Sequence, residues 1–225
     1  IKVLNKFGYE VIIPSFDQDN LKRPLCCGRT YISYGQLDKA EEELNRFVNY
    51  ILINGYYDIP IVGIEPSCLL TFSDEFKSLK NIKNRDKIKN EFYLLEEFVL
   101  KEINDGNNVT INKFDQNVLI HGHCHQKSQD RMKGLTNLLV KLNIDNKVID
   151  SSCCGMAGSF GYSSKNYDVS KKMANLSLIP AINKSDEKDF IVANGTSCRH
   201  QISDLSNKKG KHISELLFKI FQTVN

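Results

Sequence analysis

Two separated segments of the sequence carry the same cysteine pattern, and this repeat constrains the fold more than any other feature. Cys26-Cys27-Gly28 returns as Cys153-Cys154-Gly155, and residues 61–68 return as residues 191–198, each of these ending in Ser-Cys. Cys27 and Cys154 are 127 residues apart, and Cys68 and Cys198 are 130 residues apart. A near-constant offset between two independent matches indicates a duplicated structural unit. We therefore expect two similar halves, residues 1–105 and residues 106–225.

Each half alternates helical and strand patterns. Apolar residues between 37 and 52 recur at the i, i+3, i+4 spacing of an amphipathic helix, and residues 167–182 have the same role in the second half. A long helix over 84–105 is expected to join the halves, followed by a turn at 105–108. This alternation predicts an α/β fold with two repeated Rossmann-like halves and mainly parallel sheets. The predicted strands are 7–14, 61–64, 118–120, 148–149 and 190–193.

Four cysteines come directly after predicted strands. In parallel α/β sheets, ligands collect at the carboxyl ends of the strands. We therefore expect a metal site at that edge, and the cysteines concerned are Cys68, Cys124, Cys153 and Cys198.

The second half offers four thiolates, which is the number that a 4Fe-4S cluster needs. Thiolates are soft, strongly donating ligands and suit iron. Gly155 lets the backbone approach a bulky cluster, and its amide could donate to a cluster sulfur. His123 and His125 flank one of the cysteines and are expected to hydrogen-bond the cluster without being ligands. The predicted ligands are Cys124, Cys153, Cys154 and Cys198.

The first half has only Cys26, Cys27 and Cys68. These three could hold a second cluster with a different fourth ligand or an open iron, or they could be a decayed site kept for packing. Zinc is the main rival metal, because residues 121–125 place three imidazoles beside Cys124. A structural zinc site would make the chain a non-catalytic interaction domain. His121 is interpreted as a strand-end residue that hydrogen-bonds the backbone.

Charge and composition exclude several classes of protein. The net charge of +3 does not favour a nucleic-acid partner. No apolar run reaches the roughly 18 residues of a transmembrane helix. The chain starts without Met and without a signal-peptide pattern, so we expect a segment of a longer protein in a reducing, cytoplasmic compartment, reaching the inner face of a membrane only through partners.

Together the motifs resemble a known family. Residues 25–28, 65–68, 121–127 and 152–161 are similar to the cysteine-rich CCG domain, which occurs in one subunit each of heterodisulfide reductase and anaerobic glycerol-3-phosphate dehydrogenase and in the iron–sulfur subunits of glycolate oxidase. They most resemble the C-terminal iron–sulfur region of FAD-linked D-lactate and D-2-hydroxyglutarate dehydrogenases. The family pattern ends in C-x-x-C, whereas this chain has Glu65 and Gly195 in place of the first cysteine of that pair.

The resemblance implies an oxidoreductase module that accepts electrons from a flavin and passes them to a downstream acceptor. FAD would then lie in an upstream domain or in a partner, and this chain alone would lack the site that oxidises a D-lactate-, glycolate- or D-2-hydroxyglutarate-type 2-hydroxy acid. Its catalytic residues are therefore unknown. A heterodisulfide-reductase-like site that cleaves disulfides at an open iron is the alternative within the same family.

Overall fold

The computed structural model describes residues 1–15, 21–107 and 109–221. Contacts divide the chain into two compact units, a smaller unit of Glu10–Leu94 and a larger unit of Ile1–Tyr9 with Leu95–Asn225. The first helix, α1 (Lys2–Asn5), belongs to the larger unit. Over the described residues, no helix has the length and apolar character needed to cross a membrane.

The smaller unit packs helices around a two-stranded parallel sheet. Its elements are α2 (Arg29–Ser33), α3 (Leu37–Ile53), β1 (Ile61–Gly63), α4 (Pro66–Ser73), α5 (Glu75–Ser78) and β2 (Phe92–Leu94). The predicted amphipathic helix is confirmed as α3, whose Ala40, Leu44 and Val48 are fully buried. This stripe packs against Phe72 and Phe76, so one helix face closes the core of the unit.

The larger unit is built on a three-stranded parallel sheet in the order β4-β3-β5. Val118 pairs with Asn146 on one side and with Phe190 on the other. The helices of the unit surround this sheet, and their buried apolar residues form its core. The remaining elements, in chain order, are α6 (Leu95–Asn104), β3 (Val118–Ile120), α7 (Cys124–Ser128), α8 (Met132–Lys141), β4 (Asn146–Val148), α9 (Tyr167–Leu176), α10 (Leu178–Lys184), β5 (Phe190–Val192), α11 (Thr196–Leu205) and α12 (Ile213–Ile220).

The expected α/β class and the parallel sheets are confirmed, but three predicted elements are wrong in part. The helix expected over 84–105 is instead a short 3₁₀ turn at Arg85–Lys87, then β2, then α6. Phe92 pairs with Ile61 of β1 and stacks on the ring of Phe72 at 4.9 Å, so an aromatic segment that fits helical spacing is used as a strand.

The helix expected over 167–182 is divided into α9 and α10 at Ser177. The cause is Pro180, whose ring would clash with the carbonyl of Leu176 in a continuous helix. The strand expected at 7–14 does not form. Gly8 has a φ of +82° after α1, and Phe7 packs edge-on against Phe221 at 5.6 Å. The expected turn begins at Asp105 and Gly106, and Asn108 lies outside the described residues.

Candidate metal centre

Three segments that follow the three strands of the larger unit carry its four cysteines. Cys124 is the first residue of α7, after β3, and Cys198 lies in the first turn of α11, after β5. Cys153 and Cys154 follow β4 in a loop. Because the strands are parallel, all three segments leave the same edge of the sheet.

The cysteine thiols of these segments converge. The sulfurs of Cys154 and Cys198 lie within 4.8 Å of each other and of a ring nitrogen of His121, and all three residues are buried. The Cys154 thiol is also hydrogen-bonded to the thiols of Cys153 and Cys198. Cys124 is near enough for the charge of Cys153 to act on its thiol. None of the seven cysteines forms a disulfide, so all four thiols here are available as ligands.

The surroundings keep these thiols protonated when no metal is bound. Its hydrogen bond with Cys153 lowers the pKa of Cys154, but the bond with Cys198 and burial outweigh it and raise that pKa to about 12. The hydrogen bond with Cys154, followed by burial, raises the pKa of Cys153. Burial, followed by the charge of Cys153, raises the pKa of Cys124. Metal binding at this site must therefore release protons.

Gly155 gives the cysteine pair its geometry. It has a φ of +90°, and its amide donates to the sulfur of Cys153 at 3.3 Å. A Cβ on this residue would lie 2.2 Å from the carbonyl oxygen of Ser170 in α9, so only glycine fits. The amide-to-sulfur contact is the kind of interaction expected for Gly155 from the sequence.

His123 packs against the position where the family has another cysteine. A Cβ on Gly195 would lie 2.3 Å from Cδ2 of His123 and 3.2 Å from the sulfur of Cys198. Nδ1 of His123 accepts from the amide of His125 at 3.2 Å and caps α7. In the neutral ring the proton is therefore on Nε2. His125 is half-buried, and its ring meets that of His123 edge-on at 5.1 Å.

The sequence pattern assigns His121 to a backbone hydrogen bond, yet the ring of this residue lies among the thiols. Its Nδ1 is hydrogen-bonded to Oγ of Ser151 at 2.9 Å. Burial, followed by the charges of Lys127 and His123, lowers the pKa of His121 to about 3. The ring is therefore neutral near pH 7 and can offer a nitrogen to a metal. Its position directly after an apolar strand is the sequence signal that could have identified it.

Lys127 is a second residue that sequence reasoning did not single out. Its Nζ donates to the carbonyl oxygens of Ser151 and Ser152, just before the cysteine pair, the latter at 3.0 Å. Burial lowers the pKa of Lys127, while the charges of all four cysteine thiols of this unit raise it. One ammonium group therefore faces the whole set of candidate ligands.

The smaller unit contains a similar but shorter set. The Cys27 thiol is hydrogen-bonded to the thiols of Cys26 and Cys68, and the amide of Gly28 donates to the sulfur of Cys26 at 3.4 Å. Gly28 has a φ of +75° and packs against Ala40 of α3, as Gly155 packs against α9. Glu65 caps α4, since its Oε1 accepts from Oγ of Ser67 at 2.8 Å.

The donor chemistry of the larger unit fits an iron–sulfur cluster. Four thiols meet in a buried pocket edge with a backbone amide directed at one sulfur, which is the environment that thiolate-bound iron uses. The group of His121, Cys154 and Cys198 alone would also suit a single zinc ion.

Comparison with known proteins agrees with this chemistry. Residues 118–203, which contain all four of these cysteines, match the CCG family model, described as a cysteine-rich domain. The resemblance inferred from the motifs is therefore confirmed.

Curated relatives cover nearly the whole chain at low identity. The C-type subunit of anaerobic glycerol-3-phosphate dehydrogenase from Escherichia coli K12 is 25% identical over 221 residues, which are 96% of this chain and 53% of that protein. D-2-hydroxyglutarate dehydrogenase of the same strain is 20% identical over 228 residues, 99% of this chain and 21% of that protein. An uncharacterized iron-sulfur protein of Methanococcus maripaludis is 24% identical over 214 residues, 92% of this chain and 38% of that protein. The chain thus spans about half the length of the first relative and less of the others.

Proposed function

We propose that this chain, whose residues 118–203 match the CCG cysteine-rich domain, is the iron–sulfur electron-transfer part of a flavin-linked 2-hydroxy-acid dehydrogenase. The observation that carries the proposal is the convergence of four buried or half-buried thiols from three strand ends. A structural zinc site needs only four ligands in all, whereas this site offers four thiols and the ring of His121.

In this proposal Cys124, Cys153, Cys154 and Cys198 hold a 4Fe-4S cluster at the carboxyl edge of the β4-β3-β5 sheet. Such a cluster supplies single-electron transfer when bound. The protein groups keep the ligands in place and exclude water, because the thiols lie within an apolar cluster that includes Met156. The amide of Gly155 and the ring of His123 are placed to donate hydrogen bonds at the sulfurs.

The electron donor in this proposal is a flavin domain or subunit, and the electrons continue to a separate acceptor. Support comes from the printed names of the relatives, which are dehydrogenases or a subunit of one. The D-2-hydroxyglutarate dehydrogenases favour a 2-hydroxy acid as the substrate of the complete assembly. The three cysteines of the smaller unit would be a second, incomplete ligand set.

Metal analysis of anaerobically purified protein tests the proposal. We expect a brown protein with about four iron atoms per chain and matching acid-labile sulfide. Stoichiometric zinc with no iron after anaerobic reconstitution would contradict it. That outcome would instead favour a single-ion site on His121, Cys154 and Cys198, the second candidate, since these three ligand atoms lie within 4.8 Å of one another.

A further inference from the structure

One buried carboxyl group of the larger unit belongs to no ion pair among the described residues and is not part of the ligand set. Glu96, in the first turn of α6, is 1% exposed. Its Oε1 accepts from Nε2 of Gln126 at 2.8 Å and from Nδ2 of Asn194 at 2.9 Å. A carboxyl group is costly to bury, so a position like this requires specific partners.

The two amide donors lie in two of the three segments that carry cysteines. Gln126 is two residues after Cys124 in α7, and Asn194 is four residues before Cys198, between β5 and α11. Asn194 is itself fixed, because its Oδ1 accepts from the amide of Ile213 at 3.1 Å. A single oxygen atom of α6 therefore connects the segments that follow β3 and β5.

We propose that Glu96 is a positioning residue that holds the Cys124 and Cys198 segments at the separation the metal centre requires. The proposal rests on the proposed metal centre, and it adds a residue that no cysteine pattern indicates. Glu96 acts through Gln126 and Asn194 and does not itself reach the ligand atoms.

The electrostatic surroundings are consistent with an acceptor role that does not need a charge. Burial, with a smaller contribution from the charge of Glu97, raises the pKa of Glu96 to about 7. Glu97 is paired with Arg131, so the nearest guanidinium is already engaged. Both the neutral and the ionised carboxyl group offer Oε1 as an acceptor, so the two amide bonds persist in either form.

Three variants of the full chain separate positioning from general stability. Glu96→Leu removes the acceptor, whereas Glu96→Gln keeps an oxygen at the same place. Glu102→Leu is the matched control, because Glu102 is another buried carboxylate of α6 that accepts from Nδ2 of Asn107 at 2.6 Å, outside the cysteine-bearing segments. Gln126→Met removes one donor and serves as a milder variant if Glu96→Leu does not fold.

The measurements are the rate of metal release to a chelator and the melting temperature of the metal-free protein. We expect Glu96→Leu to release metal about 10- to 100-fold faster than the parent and Gln126→Met to change the rate in the same direction by less. Glu96→Gln should restore the parent rate, and Glu102→Leu should lower the melting temperature without changing the rate.

Two outcomes would overturn positioning by Glu96 while leaving the metal centre in place. One is a parent rate of release in both Glu96→Leu and Gln126→Met, and the other is a Glu96→Gln protein that loses metal as fast as Glu96→Leu. A parent protein that binds no metal would overturn the proposed function and this inference together, so the two failures are distinguishable.

Discussion

At the scale of single residues, the charge of Lys127 is the feature most directly linked to redox behaviour. Its ammonium faces all four thiols of the larger unit and is held by the carbonyls of Ser151 and Ser152. Reduction adds negative charge to a thiolate-bound cluster, and a fixed positive charge nearby stabilises that state. Lys127 is therefore expected to raise the reduction potential.

The corresponding test is Lys127→Gln, which removes the charge and keeps a hydrogen-bond donor. We expect a lower midpoint potential in a redox titration, with iron content equal to that of the parent. Lys133→Gln is the control, because that exposed lysine is paired with Asp130. A potential equal to that of the parent in Lys127→Gln would refute the electrostatic role.

The same scale shows why the sequence identifies some site residues and misses others. The cysteines stand out because they repeat and because their chemistry is narrow. His121, Lys127 and Glu96 have many ordinary roles, and their meaning depends on burial and on partners such as Ser151 that lie far along the chain. Such contacts arise only from tertiary packing, so no local pattern announces them.

At the scale of elements, α6 joins the fold to the site through a titrating group. Burial raises the pKa of Glu96 from 4.5 to about 7, so the folded protein keeps a proton there that the unfolded chain has released. This group therefore lowers stability progressively as pH rises from 4.5 to 7, with no further change above that range. The lowered pKa of His121 has the opposite sign, and stability from it rises between about pH 3 and 6.5.

Chemical denaturation of metal-free Glu96→Gln and the parent across about pH 4.5 to 7.5 measures the contribution of Glu96. We expect the free energy of unfolding of the variant to gain on that of the parent by on the order of 3 kcal/mol over this window. The parent curve should be flatter, because Glu96 and His121 oppose each other. Parallel curves would show that Glu96 titrates normally in the folded protein.

Elements also show where sequence patterns are ambiguous. The strands β1, β3 and β5 and the helix α3 are predictable because their periodicity is unmixed. Phe92 and Leu95 fit both a helix face and a strand followed by a helix, and only pairing with β1 decides for the strand. Pro180 marks the break before α10, a local signal that the apolar periodicity of residues 167–182 obscures.

At the scale of the whole molecule, the two units differ in the number of ligands that they can offer. The larger unit brings together four thiols and the smaller one three, although both use the same Cys-Cys-Gly turn with a left-handed glycine. Duplication therefore preserved the backbone of the turn more closely than the ligand set.

Cys154→Ser and Cys26→Ser compare the two units directly. Serine keeps the size of the side chain but is a harder and poorer ligand for iron. Cys154 is buried and bonded to two other thiols, so we expect its replacement to reduce iron content more than replacement of the exposed Cys26. Iron analysis after identical anaerobic reconstitution is the measurement, and equal losses would contradict an unequal pair of sites.

The order of the strands in the larger unit also has a consequence for biosynthesis. The central strand β3 is made before both of its neighbours, and the last ligand, Cys198, follows β5. A ribosome must therefore finish that strand, and the new strand must join the sheet, before all four thiols can meet. Cofactor delivery to this centre is thus a late event that depends on a nearly finished fold, and a nascent chain shorter than residue 198 cannot carry the complete cluster.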